Sequence, residues 1–213
     1  MANHWNTADS GFLQTVDGPQ LARLTLTGAA TVTYGARATL QARLTDQVTD
    51  AGVQGGSVNL FGRQVDEDNE QAAGSTVGAA DGSGSFTVTP AASTLYRASF
   101  PSSEAYGPAN SAQVRVSVRP RVTARAKATT VTYGKTLTVT GSVAPNHHGQ
   151  RVYLQRLVGG VWKTAATATL GATSAYSVSA RPTTKGRLAY RVWKGDDADH
   201  ASGASPTLTV TVR

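Results

Sequence analysis

Two short stretches of this 213-residue chain carry side chains of the kinds that bind metal ions. One is the acidic run DEDNE at residues 66–70, and the other is GDDADH at residues 195–200. Neither stretch has the alternating oxygen ligands and the turn glycine of a calcium-binding loop. We therefore interpret both as solvated acidic loops, and we predict neither a metal site nor a cofactor.

The residue types present do not favour nucleophilic catalysis. The chain has no cysteine, which excludes a cysteine nucleophile, cysteine-ligated zinc and disulfide bonds. His147 and His148 are adjacent in a predicted turn, and neighbouring side chains on an extended backbone point apart. No serine with an orienting acid accompanies them. We expect no catalytic residues and no enzyme activity.

A set of aromatic and basic residues is the remaining candidate site. Apolar residues alternate with other residues over 151–155 and 188–193, so one set points into a core and the other points outward. If the two strands are neighbours in one sheet, the outward residues share one face, with two residues of a hairpin nearby. The set is Arg151, Tyr153, Trp162, Lys163, Arg191 and Trp193.

Two interpretations of this aromatic and basic set remain open. Aromatic rings stack on ligands, and arginine pairs with anionic groups, so the set is a candidate binding face for an anionic glycan, a wall polymer or a protein. The structural interpretation, which we favour, is that each aromatic side chain shields a loop or the neighbouring domain.

The elements that position these residues occur twice. The sequence TVTYG at residues 31–35 recurs 99 residues later at 130–134. Val58 and Leu60 of the first copy match Val152 and Leu154 of the second. Because the separation is close to the length of one immunoglobulin-sized sandwich, it indicates two copies of one β domain placed end to end.

The predicted fold class is all-β: two tandem Ig-like β-sandwiches joined by a short linker that contains Pro120. Threonine and valine favour strands, and we find no long window with a helical period of apolar residues. We assign residues 1–18 to an N-terminal extension or the end of a preceding domain, 19–118 to domain 1 and 121–213 to domain 2. A proline fixes one φ angle, so we expect a semi-rigid rod.

Some local features are also predicted. We expect a long loop or hairpin tip over residues 65–75 and a hairpin turn over 81–84. Residues 11–17 read as a short strand and turn that belongs to whatever comes before domain 1. Tyr96 and Tyr190 are candidates for tyrosine corners, in which the hydroxyl bonds to a nearby backbone group.

The order of these motifs resembles bacterial Ig-like repeat domains. The motifs are a Tyr-Gly turn, an alternating strand, Gly-x-Val-x-Leu, a tryptophan, Tyr-Arg-Val, a Gly-Asp-Asp-Ala-Asp-His stretch and a Val-x-Val ending. Such domains occur in exported and cell-surface proteins of Gram-positive bacteria, and related modules decorate phage virions. The resemblance covers residues 20–213 and implies spacer, stalk or adhesive roles without catalytic residues.

Charge divides the chain unevenly, with a net charge of −4 over residues 1–118 and +11 over 119–213. The structural interpretation is that neighbouring domains of opposite net charge attract each other. The functional interpretation is that domain 2 contacts an anionic surface. No apolar run is long enough to span a membrane, and the N-terminus lacks the basic and apolar segments of a secretion signal. We favour a piece of a longer exported chain over a protein assembled without that export.

The functional expectation is a non-catalytic structural or spacer module, outside the cell or at its surface. Its expected partners are other domains of a longer chain or of a surface assembly, with no specific nucleic acid and no membrane insertion. One alternative is a binding or adhesion module that uses the basic aromatic face of domain 2. A second alternative is a virion surface protein of the decoration or tail type.

Overall fold

The computed structural model describes residues 18–213, all of whose regular elements are β-strands. The predicted strand at residues 11–17 therefore lies outside the described residues. No helix among residues 18–213 is long and apolar enough to cross a membrane. The first nine strands are β1 (Ala22–Gly28), β2 (Thr31–Thr33), β3 (Ala38–Asp46), β4 (Ser57–Gln64), β5 (Gln71–Val77), β6 (Ser83–Val88), β7 (Thr94–Phe100), β8 (Ala109–Asn110) and β9 (Val114–Arg119).

The second nine strands follow in the same order along the chain. They are β10 (Arg121–Ala126), β11 (Thr130–Val131), β12 (Leu137–Ala144), β13 (Arg151–Val158), β14 (Val161–Thr169), β15 (Ala175–Ala180), β16 (Gly186–Lys194), β17 (Gly203–Ala204) and β18 (Leu208–Val212). Strands β1 to β9 form the N-terminal sandwich, and strands β10 to β18 form the C-terminal sandwich.

The two sandwiches have the same topology. In the N-terminal sandwich, a sheet with strand order β1-β3-β6 packs against one with order β2-β9-β7-β4-β5, and β8 pairs with β7. The C-terminal sandwich repeats this as β10-β12-β15 against β11-β18-β16-β13-β14, with β17 on β16. The short strands β2 and β11 run parallel to β9 and β18, while the other pairs are antiparallel. The predicted all-β class with two tandem sandwiches is therefore confirmed.

Each sandwich has its own hydrophobic core. Leu40 and Leu60 come from opposite sheets of the N-terminal sandwich and are fully buried together. Leu137 and Leu154 do the same in the C-terminal sandwich. Because successive side chains of a strand point to opposite faces, the alternating apolar residues of each strand supply one side of a core.

Two local predictions need correction. The predicted loop or hairpin tip over residues 65–75 is too long: residues 65–70 are the tip of a hairpin, but residues 71–75 belong to β5, which pairs with β4 across a β-bulge. Its side chains are mostly exposed, so the strand lacks the alternation that would reveal it in the sequence. The turn at residues 81–84 exists, with the Asp81 carboxylate accepting bonds from Ser83, but it does not close a hairpin. It joins β5 and β6, which belong to opposite sheets.

The tyrosine whose hydroxyl bonds to the backbone is Tyr176, which the sequence analysis did not select. Its hydroxyl donates to the carbonyl oxygen of Thr123, two strands away in the same sheet. Gly141 lies between them, and a Cβ atom there would lie 2.6 Å from the hydroxyl. Burial raises the pKa of Tyr176. Tyr96 and Tyr190, the predicted corner residues, instead place their hydroxyls near the side chains of Thr94 and Arg156.

Glycine at residue 82 is required both by its backbone conformation and by its surroundings, so we predict that Gly82→Ala is strongly destabilising. Its φ angle is 75°, and a Cβ atom would lie 1.9 Å from the Leu44 carbonyl oxygen. Gly35 is a matched control, with a φ of 83° and no other atom within 4 Å of the place that a Cβ atom would occupy. We expect Gly35→Ala to lower the free energy of unfolding by about 1 kcal/mol and Gly82→Ala by about 3 kcal/mol or more. Urea unfolding measures both values, and equal losses would contradict the prediction.

Candidate functional site

The outer face of the sheet formed by β13, β14 and β16 carries most of the predicted site. Strands β13 and β16 are antiparallel neighbours, with Tyr153 opposite Trp193 and Gln155 opposite Arg191. Leu154 lies between these positions and is fully buried, so the flanking side chains point away from the core. The strand alternation that the sequence analysis used is therefore present here.

Aromatic and cationic contacts organise this outer face. The Tyr153 and Trp193 rings lie 5.4 Å apart between centroids, at an interplanar angle of 50°. The guanidinium carbon of Arg191 lies 4.4 Å from the centroid of Trp162, within the range of a cation–π interaction. Arg191 Nε also donates a hydrogen bond of 2.8 Å to Gln155 Oε1. These two contacts hold the guanidinium group in one position.

Arg191 has no acidic partner in residues 18–213, since none of the ion pairs found there includes it. Its charge is therefore balanced only by a neutral amide oxygen and a ring face. A guanidinium group held in this way can pair with a carboxylate, sulfate or phosphate group of a ligand.

The remaining predicted residues fall in two places. Arg151 is exposed and precedes Tyr153 by two residues, so it shares the outer face. Lys163 does not, because it pairs with Arg156, which stands opposite the buried Tyr190. It lines a separate cleft of about 300 Å³ with Arg156 and Tyr190. Trp162 and Lys163 are successive residues of β14, so they point to opposite faces. We call Arg151, Tyr153, Trp162, Arg191 and Trp193 the outer aromatic face.

The N-terminal sandwich has a weaker version of this face. Arg97 lies 5.3 Å from the ring centroid of Phe61, which matches the place of Gln155 in the C-terminal sandwich. Asn59 and Ser99 occupy the positions of the Tyr153–Trp193 pair. Arg97 also forms an ion pair of 2.7 Å with Glu70, and this hydrogen bond lowers the pKa of Glu70. The arginine of the N-terminal sandwich is thus neutralised, whereas Arg191 is not.

The outer aromatic face continues into a cleft at the joint between the two sandwiches. This cleft has a volume of about 480 Å³ and includes Arg191 and Trp193 in its lining. The linker residue Pro120 and its two neighbours, Arg119 and Arg121, also line it. Arg119 and Arg121 were not predicted as site residues, although their position beside Pro120 is visible in the sequence. The joint cleft brings three arginines and a tryptophan to one lining.

Loops from both sandwiches also touch at the joint. Residues 89–93, between β6 and β7, contact residues 195–202, between β16 and β17. Ser93 N donates a bond of 2.7 Å to the Asp199 carbonyl oxygen, and His200 Nε2 lies 2.9 Å from the Ala91 carbonyl oxygen. Ala201 N donates a bond of 2.8 Å to the Val118 carbonyl oxygen. The two sandwiches are therefore in direct contact through hydrogen bonds.

Two stretches that were interpreted separately from the sequence, the adjacent histidines at 147–148 and the acidic run at 195–200, meet beside this contact. His147, Asp197 and His200 form a group whose potential ligand atoms all lie within 4.8 Å of one another. A signal for this was present in the sequence. His147 precedes β13 and Asp197 follows β16, and the ends of antiparallel neighbours lie at the same edge of a sheet.

Comparison with known proteins does not assign the chain to a family. No family model matches it, and no curated protein is significantly similar to it. Among solved structures, it is similar to the D0-D1 domain of intimin, with 16% identity, a TM-score of 0.33, and coverage of 88% of this chain and 97% of that one. It is also similar to E. coli alpha-2-macroglobulin, with 12% identity and a TM-score of 0.41. That match covers 92% of this chain and 17% of the other, and neither similarity is strong enough to support a functional conclusion.

The Tyr153–Trp193 pair gives a direct test of the outer aromatic face. We predict that a double-mutant cycle of Tyr153→Ala and Trp193→Ala has a coupling energy of about 0.5–1.5 kcal/mol, because the two rings pack directly on each other. Unfolding free energies of the four proteins give the coupling. Asn59→Ala and Ser99→Ala, at the matching positions of the N-terminal sandwich, are the control cycle, and no aromatic contact contributes there. A coupling no larger than that of the control would contradict the assigned contact.

Proposed function

We propose that this chain is a non-catalytic spacer module whose two sandwiches present or link other domains at a cell surface. The observation that carries the proposal is the hydrogen-bonded contact between the two sandwiches. A spacer needs a defined length and direction, and this contact supplies both if it persists in solution. Location outside the cell is part of the proposal and follows from the resemblance of the repeated motifs to surface domains.

The linker supports a fixed arrangement. Strand β9 ends at Arg119 and β10 begins at Arg121, so only Pro120 separates the sandwiches. Tyr34 N donates to the Arg119 carbonyl oxygen at 2.8 Å, which attaches the linker to the N-terminal sandwich. On the other side, a Cβ atom at Gly203 would lie 2.6 Å from the Pro120 carbonyl oxygen, so β17 approaches the linker closely. A one-residue linker held on both sides has little freedom to bend.

The sequence itself provides a way to test rigidity, because a chain without cysteine accepts labels only where cysteine is introduced. Val48 and Val161 are 87% and 59% exposed, one in each sandwich. We predict that the double variant Val48→Cys/Val161→Cys, labelled with a donor and an acceptor dye, gives one narrow population in single-molecule energy transfer. A broad distribution for this labelled double variant would overturn the spacer proposal.

A matched control for that measurement is the same labelled chain with Gly-Ser-Gly-Ser inserted between Arg119 and Pro120. The insertion leaves both sandwich cores intact and gives the linker the behaviour of a flexible coil. It should broaden the distribution. If the insertion changes nothing, the one-residue linker does not set the arrangement.

A second candidate function is binding, which the unpaired charge of Arg191 favours specifically. The outer aromatic face and the joint cleft place Arg191, Arg119 and Arg121 beside Trp193. This chemistry fits an anionic glycan, an anionic wall polymer or an acidic protein surface. The matching arginine of the N-terminal sandwich, Arg97, is already paired with Glu70 and is not a candidate.

Retention on an immobilised anionic polysaccharide separates the two functions. If the chain is a binding module, we predict that the double variant Arg191→Ala/Trp193→Ala loses retention on the column. The loss should exceed the loss caused by removing one positive charge elsewhere in the chain. Arg97→Ala removes the same formal charge from the other sandwich and should leave retention unchanged. If both arginine variants elute at the same reduced salt concentration, binding through the outer aromatic face is excluded and the spacer function alone remains.

A further inference from the structure

The group formed by His147, Asp197 and His200, here called the His–Asp–His cluster, has no role in the functions proposed above. His147 Nε2 lies 3.3 Å from Asp197 Oδ2, and His200 Nδ1 lies 3.7 Å from Asp197 Oδ1. Both histidines are only 5% exposed. Buried polar side chains without hydrogen-bond partners are rare in folded proteins, so their environment needs an explanation.

Backbone carbonyl groups determine which nitrogen of each ring carries a hydrogen. His147 Nδ1 lies 2.8 Å from the Pro145 carbonyl oxygen, and His200 Nε2 lies 2.9 Å from the Ala91 carbonyl oxygen. A carbonyl oxygen only accepts, so these two nitrogens are the donors. In a neutral ring, the other nitrogen then presents a lone pair. Those nitrogens, His147 Nε2 and His200 Nδ1, are buried, and neither makes a hydrogen bond of acceptable geometry within residues 18–213, although Asp199 Oδ1 lies 2.9 Å from His200 Nδ1.

His147 Nε2 faces the carboxylate of Asp197, and His200 Nδ1 faces the carboxylates of Asp197 and Asp199, all of which are acceptors. The Asp197 carboxylate accepts a hydrogen bond from Lys194 Nζ and another from the backbone N–H of His200. Two imidazole lone pairs beside an ionised carboxylate repel one another unless a positive charge lies between them. Lys194 Nζ supplies part of that charge, since it lies 2.9 Å from Asp197 Oδ2.

We propose that the His–Asp–His cluster binds a divalent transition-metal ion of the zinc type through His147 Nε2, His200 Nδ1 and the Asp197 carboxylate. Zinc–nitrogen and zinc–oxygen distances are about 2.0–2.2 Å, so tetrahedral ligand atoms lie about 3.3–3.5 Å apart. His147 Nε2 lies 3.3 Å from Asp197 Oδ2, His200 Nδ1 lies 3.7 Å from Asp197 Oδ1, and one ligand atom from each residue lies within 4.8 Å of the others. The ligand atoms are thus near tetrahedral spacing and would draw together slightly around an ion. Imidazole with carboxylate suits zinc, copper and nickel better than calcium or magnesium, which prefer oxygen alone.

The groups that surround the cluster resemble those that orient the ligands of a metal site. Each histidine donates its remote ring hydrogen to a backbone carbonyl, which fixes the ring orientation in the way common for metal-ligating histidine. Asp199 Oδ1 lies 2.9 Å from His200 Nδ1 and is available as a further oxygen ligand. Lys194 opposes metal binding by its charge, so we expect moderate affinity.

The position of the cluster gives metal binding a structural consequence. His200 would bind the ion with Nδ1 while Nε2 donates to Ala91 of the N-terminal sandwich. Asp199, its neighbour, accepts the bond from Ser93 N. An ion in the cluster would therefore stabilise the loop at residues 195–202 in its contact with the N-terminal sandwich. This inference does not rest on the spacer or binding function.

The experiment is titration of the metal-free full chain with Zn²⁺ alone, followed by isothermal calorimetry and by thermal unfolding. We expect one equivalent to bind and the melting temperature to rise by roughly 5–10 °C at a hundredfold excess of Zn²⁺ over its Kd. His147→Gln should lower the affinity at least about tenfold. The control is His148→Gln, because His148 is exposed and lies outside the cluster, and it should bind like the parent chain.

A second readout does not depend on the stability of any variant. Co²⁺ bound by nitrogen and oxygen ligands in a four-coordinate site gives strong visible absorption, and Zn²⁺ should displace it. The proposal is overturned if the parent chain neither binds Zn²⁺ nor shows this absorption. It is also overturned if His147→Gln and His148→Gln lose Zn²⁺ binding to the same extent while circular dichroism shows that His147→Gln is folded.

Discussion

The physical constraint on which the whole arrangement depends is the single residue between β9 and β10. Pro120 has no backbone N–H to donate and a fixed φ angle, so neither sheet can extend through it and the chain cannot coil there. The C-terminal sandwich therefore begins one residue after the N-terminal sandwich ends. Loops at the facing ends are brought into contact as a result, and Ser93, Asp199, Ala91 and His200 satisfy their polar groups across that contact.

Two clusters of polar and charged side chains lie at the joint between the sandwiches. Their interiors are apolar, and alternation sends the remaining side chains outward along each strand. The outer aromatic face runs into the joint cleft on the linker side, where Arg191 lies near Arg119 and Arg121. The His–Asp–His cluster lies beside the loop contact. In the proposed functions, the joint thus combines a mechanical role with the two sets of side chains best suited to binding.

Much of the fold is predictable from the sequence, and the reasons are specific. The repeated TVTYG segment indicates two copies, and period-2 alternation over 152–155 and 190–193 correctly places Tyr153, Arg191 and Trp193 outward. Strand β5 escapes prediction because its side chains are mostly exposed and carry no alternation. Lys163 is misplaced because nearness in sequence to Trp162 does not mean a shared face. The His–Asp–His cluster is missed because it forms only when β13 and β16 pair.

The central claim is that the one-residue linker and the loop contact hold the two sandwiches in one orientation. Residual dipolar couplings of backbone amides, measured in a weakly aligned sample of the full chain, test this most directly. The account predicts that couplings from both sandwiches fit one alignment tensor of common magnitude and orientation. Two tensors of clearly different magnitude, one for each sandwich, would show independent motion and contradict it.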